Sequence, residues 1–196
     1  MKAIYVIGGI CNGKSVVCRY LEGKGAVYIN LDDLSQEVLE KPEVLDKVQS
    51  LSEEIEIKDG KIDKDKLSQY LFSNTMTTHK FDKIVFPFIK DALDEKTKNL
   101  GDDDYVVVEY TGYYGQPREE DIFLKEANTV IWVESSFKDK LARGDKRGLP
   151  PFELTWRMRV QPFDEEYEAV ADYVIHNNST EEALDERVAD IWASCC

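Results

Sequence analysis

Five short runs rich in β-branched and aromatic residues punctuate the chain: AIYVI at 3–7, AVYIN at 26–30, YVVVEY at 105–110, TVIWVE at 129–134 and DYVIHN at 172–177. They are nearly continuous rather than alternating, as strands are when both faces of their sheet are covered. Segments with the apolar spacing of helices separate them. Strand alternating with helix predicts an α/β fold: a parallel five-stranded sheet with right-handed crossovers and helices on both faces.

Two stretches do not fit a simple crossover. Between the second and third runs, DKDKLSQYLF starts at Asp63, a good N-cap, and THKFDKIVFPFIKDALDEKTKNL continues to Gly101, with Pro87 expected to kink or restart the helix. Before them, Asp59-Gly60 in EIKDGKIDK marks a small turn. This predicts a helical substrate-binding insert over about 41–101, beside a core of about 1–40, 102–137 and 170–196 in a single domain. The segment at about 138–165 is locally basic, with Lys138, Lys140, Arg143, Lys146, Arg147, Arg157 and Arg159. Gly144, Gly148 and Pro150-Pro151 divide it into two helices joined by a mobile loop, which reads either as a solvated face or as a lid. The last helix, TEEALDERVADIW, starts at Ser179 or Thr180 with a capping-box glutamate.

Over its 196 residues the chain carries a formal charge of −14, so a broad surface for nucleic acid or anionic lipid is excluded. A small phosphorylated ligand is not, because a pocket of backbone N–H groups can be locally positive. Cys11, Cys18, Cys195 and Cys196 form no zinc-spaced cluster and read as free thiols of a reducing compartment. The first apolar run is too short for a signal peptide and no run reaches the length of a membrane span, so the expectation is a cytoplasmic protein. Oligomeric state is not legible.

The chemistry lies in IGGICNGKS at 7–15. Gly8, four residues, then Gly13-Lys14-Ser15 match the phosphate-loop pattern GxxxxGK[ST], with a strand before and helical spacing after. Glycines let backbone N–H groups face inward, Lys14 reaches the β- and γ-phosphates, Ser15 offers a hydroxyl to Mg²⁺, and the following helix dipole favours the anion. A GTPase would carry Asn-Lys-x-Asp on a late strand, and none is present. Instead INLDDLSQEV places Asn30, Asp32 and Asp33 at the carboxyl end of the second strand, where ligands of open α/β sheets bind. An aspartate there can orient or deprotonate an acceptor hydroxyl, hold Mg²⁺ through water, or cap a helix.

In these residues the chain resembles the dephospho-CoA kinase family, the enzymes of the last step of coenzyme A synthesis. GGICNGKS and INLD resemble that family's GGIGSGKS-type loop and its I-D-A-D segment. DGKIDKDKLSQYLFSN, RMRVQ and ADYVIHNN resemble its D-G-x-[IL]-[DN]-[RK] stretch, its R-x-x-x-Q and its A-D-x-V-I-x-N. The resemblance implies a P-loop kinase fold and Mg²⁺-assisted transfer from ATP to the ribose 3′-hydroxyl of dephospho-CoA. It implies an ATP site at Asn12, Gly13, Lys14 and Ser15, with Gly8, Cys11 and Val16 completing the loop, and Asp32 as the base toward the acceptor. Arg143 and Arg147 fall in the lid over the transferring phosphoryl group, Arg157 and Gln161 match R-x-x-x-Q, Asn177 lies near the adenine, and Glu109 suits acceptor contacts or a Mg²⁺-bound water.

The departures fall mostly on the acceptor side. Asn30 replaces the first aspartate of I-D-A-D, Phe86 stands where the family has His before Pro, and EYTGYYGQ at 109–116 replaces a Pro-Leu-Leu-Phe-Glu-like segment. Tyr110, Tyr113 and Tyr114 there either stack on a base or pack a cleft. The residues also fit a kinase of another small acceptor, such as a nucleoside monophosphate, or an ATP-binding homologue without catalysis.

Overall fold

The computed structural model describes residues 1–53, 55–58, 60–71 and 75–195. Asp59, Phe72, Ser73, Asn74 and Cys196, on which parts of the expected turn, helix, family-like stretch and thiol set fall, lie outside the described residues. The chain divides into two compact units, Met1–Asn30 with Leu100–Cys196, and Leu31–Asn99.

The first unit is built on β1 (Lys2–Ile7), β2 (Val27–Asn30), β5 (Tyr105–Glu109), β6 (Thr129–Glu134) and β7 (Tyr173–His176). All pair parallel, in the order β2-β5-β1-β6-β7. Period-two alternation sends Ile4, Val6, Val107, Ile131, Val133 and Ile175 into one core with Val17, Cys18 and Leu21 of α1 (Lys14–Gly23) and Leu184, Val188 and Ile191 of α9 (Glu181–Cys195). The alternate residues Tyr5, Ile7, Val106, Val108, Val130 and Trp132 are buried as well. Burial on both faces is why these strands read as continuous apolar runs. Thr180 caps α9 through the Ala183 N–H at 3.4 Å. Three residues on from that cap stands alanine, so the glutamate expected of a capping box is missing.

The basic segment forms α6 (Phe137–Lys146) and α7 (Pro151–Arg159), followed by the short α8 (Asp164–Glu168). Gly144 does not break α6: it lies inside the helix, buried, where an added Cβ would stand 2.7 Å from Leu154 Cδ2 of α7. Two of the three loop tyrosines pack rather than present a stacking face, and Tyr114 is half-buried. Tyr110 and Tyr113 are buried, Tyr110 edge-on to Phe123 and Tyr113 against Tyr167, which stacks on Trp132. His176 Nδ1 meets Glu134 Oε2 at 2.9 Å.

The second unit contains α2 (Leu31–Val38), α3 (Pro42–Gln49), the hairpin β3 (Ile57–Lys58) and β4 (Lys61–Ile62), α4 (Lys64–Leu71) and α5 (Thr75–Thr97). Asp63 caps α4 through the Lys66 N–H at 3.2 Å. Helix α5 runs through Pro87 without restarting and ends at Thr97, four residues before Gly101. Asp32 and Asp33 occupy the first turn of α2 and are not its N-cap, because the helix already begins at Leu31. Their charge still favours that helix end.

Candidate active site

The loop between β1 and α1 is a backbone structure first. Gly8 has φ +139° and Gly13 φ +95°, and an added Cβ would stand 2.3 Å from the Val133 carbonyl oxygen at Gly8 and 2.2 Å from Asn177 Nδ2 at Gly13. Glycine is required at both positions on two counts, conformation and space. Cys11 adopts the left-handed region with a side chain, at φ 60°. Its thiol is buried, so oxidants in solvent do not meet an exposed sulfur. Gly13 is the residue preceding α1, and the first N–H groups of that helix have no intrahelical acceptors.

Lys14 is buried and folds back over its own loop, donating to the carbonyls of Gly8 at 2.9 Å and Gly9 at 3.0 Å. Ser15 donates to Glu109 Oε1 at 2.9 Å. Glu109, buried at the end of β5, also accepts from the Tyr28 hydroxyl at 2.5 Å and the Asn30 amide at 3.4 Å. Tyr28 and Asn30 are two apart on β2 and so share a face, and Asn30 is the register partner of Glu109. Burial and the Glu109 carboxylate hold the Tyr28 phenol protonated well above its ordinary range, which keeps it a donor. The sequence singled out Glu109 and Asn30 but not Tyr28, whose only signal was its spacing from Asn30.

A second set of side chains grips the loop from outside. Asn12 Nδ2 donates to the Val133 carbonyl at 2.6 Å, and Asn177 Nδ2 donates to the Asn12 carbonyl at 2.9 Å. Gln161 Oε1 accepts from the Ile10 N–H at 3.0 Å, so this half of the R-x-x-x-Q pair meets the phosphate loop. Arg157 instead pairs with Glu153 one turn away, at 2.6 Å. Arg143 lies along main-chain carbonyls: those of Cys11 at 3.1 Å, Asn12 at 3.3 Å and Asn177 at 2.8 Å, with Ser135 Oγ at 2.7 Å. Its guanidinium therefore serves the loop's backbone, whereas the resemblance implied a lid cation over a phosphoryl group. Arg147, at the end of α6, is exposed, as is Val16 on the first turn of α1. Ser135, just past the carboxyl end of β6, was missed, although strand ends of this kind are where α/β sheets bind ligands.

In the second unit Asp32 is exposed, Phe86 is half-buried, and Asp82 of α5 is buried. Desolvation, then the charge of Asp32, pushes the Asp82 carboxyl up to about 8. Its Oδ2 has no hydrogen-bond partner among the described residues.

Known proteins resemble the chain over nearly its whole length. A dephospho-CoA kinase of Geobacter sulfurreducens is 30% identical, covering 98% of each chain. One of Thermobifida fusca is 29% identical over 98% of this chain and 95% of its own. The solved dephospho-CoA kinase of Campylobacter jejuni shares the fold, with a TM-score of 0.67 at 20% identity over 99% of this chain and 97% of that one. The family model of dephospho-CoA kinase matches residues 3–182, from β1 to the first turn of α9, and the chain belongs to that family.

Proposed function

We propose that the chain carries out its family's reaction at this loop: in-line transfer of the γ-phosphoryl group of ATP to the ribose 3′-hydroxyl of dephospho-CoA, giving coenzyme A and ADP. The observation that carries the reading is the loop itself, with left-handed turns at Gly8 and Gly13, a buried lysine within it, and Ser15 held against a buried carboxylate at the start of α1.

Transfer of this kind needs positioning and dispersed positive charge more than covalent help. The N–H groups of Asn12, Gly13, Lys14 and Ser15 cradle the phosphates, with Gly8, Cys11 and Val16 completing the loop. Lys14 exchanges two loop carbonyls for phosphate oxygens, a swap from neutral to charged acceptors that strengthens its hydrogen bonds. Asn177 and Arg143 belong to the nucleotide side through their hold on the loop. Arg147, exposed at the end of α6, is the lid cation that covers the transferring group. Asp32 takes the acceptor proton, while Phe86, Arg157 and Gln161 belong to acceptor binding, with Gln161 also tied to the loop.

The donor set fits Mg²⁺: a serine hydroxyl and a buried carboxylate 2.9 Å apart are hard oxygen ligands, and the Tyr28 hydroxyl and Asn30 amide that also meet Glu109 are neutral donors. Ser15 would hold the ion directly and Glu109 through water. Bound there, it would neutralise charge on the β- and γ-phosphates. No helix among the described residues is long and apolar enough to cross a membrane, in keeping with a soluble substrate and a cytoplasmic site of action.

The test is ADP release from Mg·ATP with dephospho-CoA, beside a panel of nucleoside monophosphates and a reaction without acceptor. Turnover specific to dephospho-CoA is the expected result. Turnover only with a nucleoside monophosphate, or none with ATP still bound, would remove the acceptor assignment and leave the nucleotide site.

A further inference from the structure

One carbonyl in the phosphate loop is more heavily engaged than any other there. The Asn12 oxygen lies 2.9 Å from Asn177 Nδ2, 3.0 Å from Ser135 Oγ and 3.3 Å from Arg143 Nη1. Ser135 is at the centre of this group and is 2% exposed. Its oxygen accepts from Arg143 at 2.7 Å, and its single proton serves the Asn12 carbonyl or the Asn177 carbonyl, 3.1 Å away. In a trans peptide the C=O and the following N–H point in opposite directions. The donors gathered at the Asn12 oxygen, a guanidinium and an amide with the Ser135 hydroxyl beside them, therefore turn the Gly13 N–H away from Arg143 and polarise it, since hydrogen bonds in a chain strengthen one another. The positive φ of Gly13 completes that orientation.

We propose that Ser135 is a positioning residue for the nucleotide's phosphates: it holds the Asn12 carbonyl and the Arg143 guanidinium in register, which aims and strengthens the Gly13 N–H as an anion donor. It touches no phosphate itself and works through the Asn12–Gly13 peptide. Its hydroxyl neighbours are the loop's main chain, the end of β7 and the arginine of α6, so the hydroxyl ties three strand ends to one peptide. The inference rests on the loop as a nucleotide site and is independent of which acceptor is phosphorylated.

Calorimetric titration of Mg·ATP and Mg·ADP without acceptor, on the whole chain, tests it with Ser135→Ala and Ser135→Thr. The alanine variant is expected to bind both nucleotides about three- to tenfold more weakly, the range of one lost hydrogen bond. Threonine, which keeps the hydroxyl, should return affinity to within about twofold of the parent. Nucleotide affinity unchanged in Ser135→Ala, whatever happens to its thermal midpoint, would overturn the proposal, as would threonine binding no better than alanine. Failure to phosphorylate dephospho-CoA bears on the acceptor assignment alone.

Discussion

Ser15 opens α1 and Glu109 closes β5, and a 2.9 Å hydrogen bond between Ser15 Oγ and Glu109 Oε1 joins them across more than ninety positions of sequence. The parallel register of β1 with β5 brings them together: Val6 pairs with Glu109, and the loop leaves β1 one residue later. The carboxylate accepts from the hydroxyls of Ser15 and Tyr28 and from the Asn30 amide.

Glu109→Gln keeps the shape and removes the charge. If Glu109 holds a metal-bound water, the substitution raises the Mg²⁺ concentration for half-maximal turnover by about tenfold or more and lowers kcat by roughly a hundredfold. A magnesium titration of dephospho-CoA phosphorylation measures both. An unaltered titration would place Glu109 outside the metal's surroundings.

Gly13 is constrained both by its backbone conformation and by the space around it. A methyl group there meets Asn177 Nδ2 at 2.2 Å while the backbone holds φ +95°. Gly13→Ala is expected to destabilise the fold by about 1–3 kcal/mol, from strain in the left-handed region and a displaced Asn177. Mg·ADP affinity should fall at least tenfold by calorimetry. Parent-like binding and melting would mean that the loop repacks freely around Asn177.

Local signals and long-range signals fared differently in the sequence. The five strands were legible because burial on both faces leaves nearly unbroken apolar runs, and the phosphate loop was legible because its glycines and Lys14 are consecutive. Asp63 as a cap was legible for the same local reason. Ser135 and Tyr28 were not, because their partners are Asn12 and Glu109, more than eighty positions away. Arg143 was read by its charge, yet its place is fixed by main-chain carbonyls that no pattern of side chains displays. The tyrosines after β5 could be read either as stacking on a base or as packing, and the contacts of Tyr110 with Phe123 and of Tyr113 with Tyr167 of α8, distant in sequence or across the loop, decide for packing at those two.

Asp32→Asn separates catalysis from binding. With Asp32 as acceptor base, kcat should fall by about a hundredfold or more while Mg·ATP affinity stays within about threefold. Single-turnover rates and calorimetry read the two quantities. A collapse of ATP affinity would make Asp32 a metal or structural residue instead.

Asp82 predicts a dependence of stability on pH that no other aspartate with a resolved shift shares so strongly. Its carboxyl is buried in α5, Oδ2 has no hydrogen-bond partner among the described residues, and desolvation followed by the charge of Asp32 raises it from 3.8 to about 8. Between those values the folded chain holds a proton that the unfolded chain releases. Stability from this group is therefore full below about pH 4 and is lost as pH rises toward about 8, with a slope of at most about 1.4 kcal/mol per pH unit. Asp82→Asn is neutral throughout and removes that slope, so it should unfold at higher urea than the parent at pH 8.5 and show a smaller fall between pH 5.5 and pH 8.5. Asp32→Asn should lessen the parent's fall in the same direction, because it removes the neighbouring charge that favours the protonated acid. Parallel urea midpoints for parent and Asp82→Asn across that window would show that Asp82 ionises as an ordinary surface carboxylate.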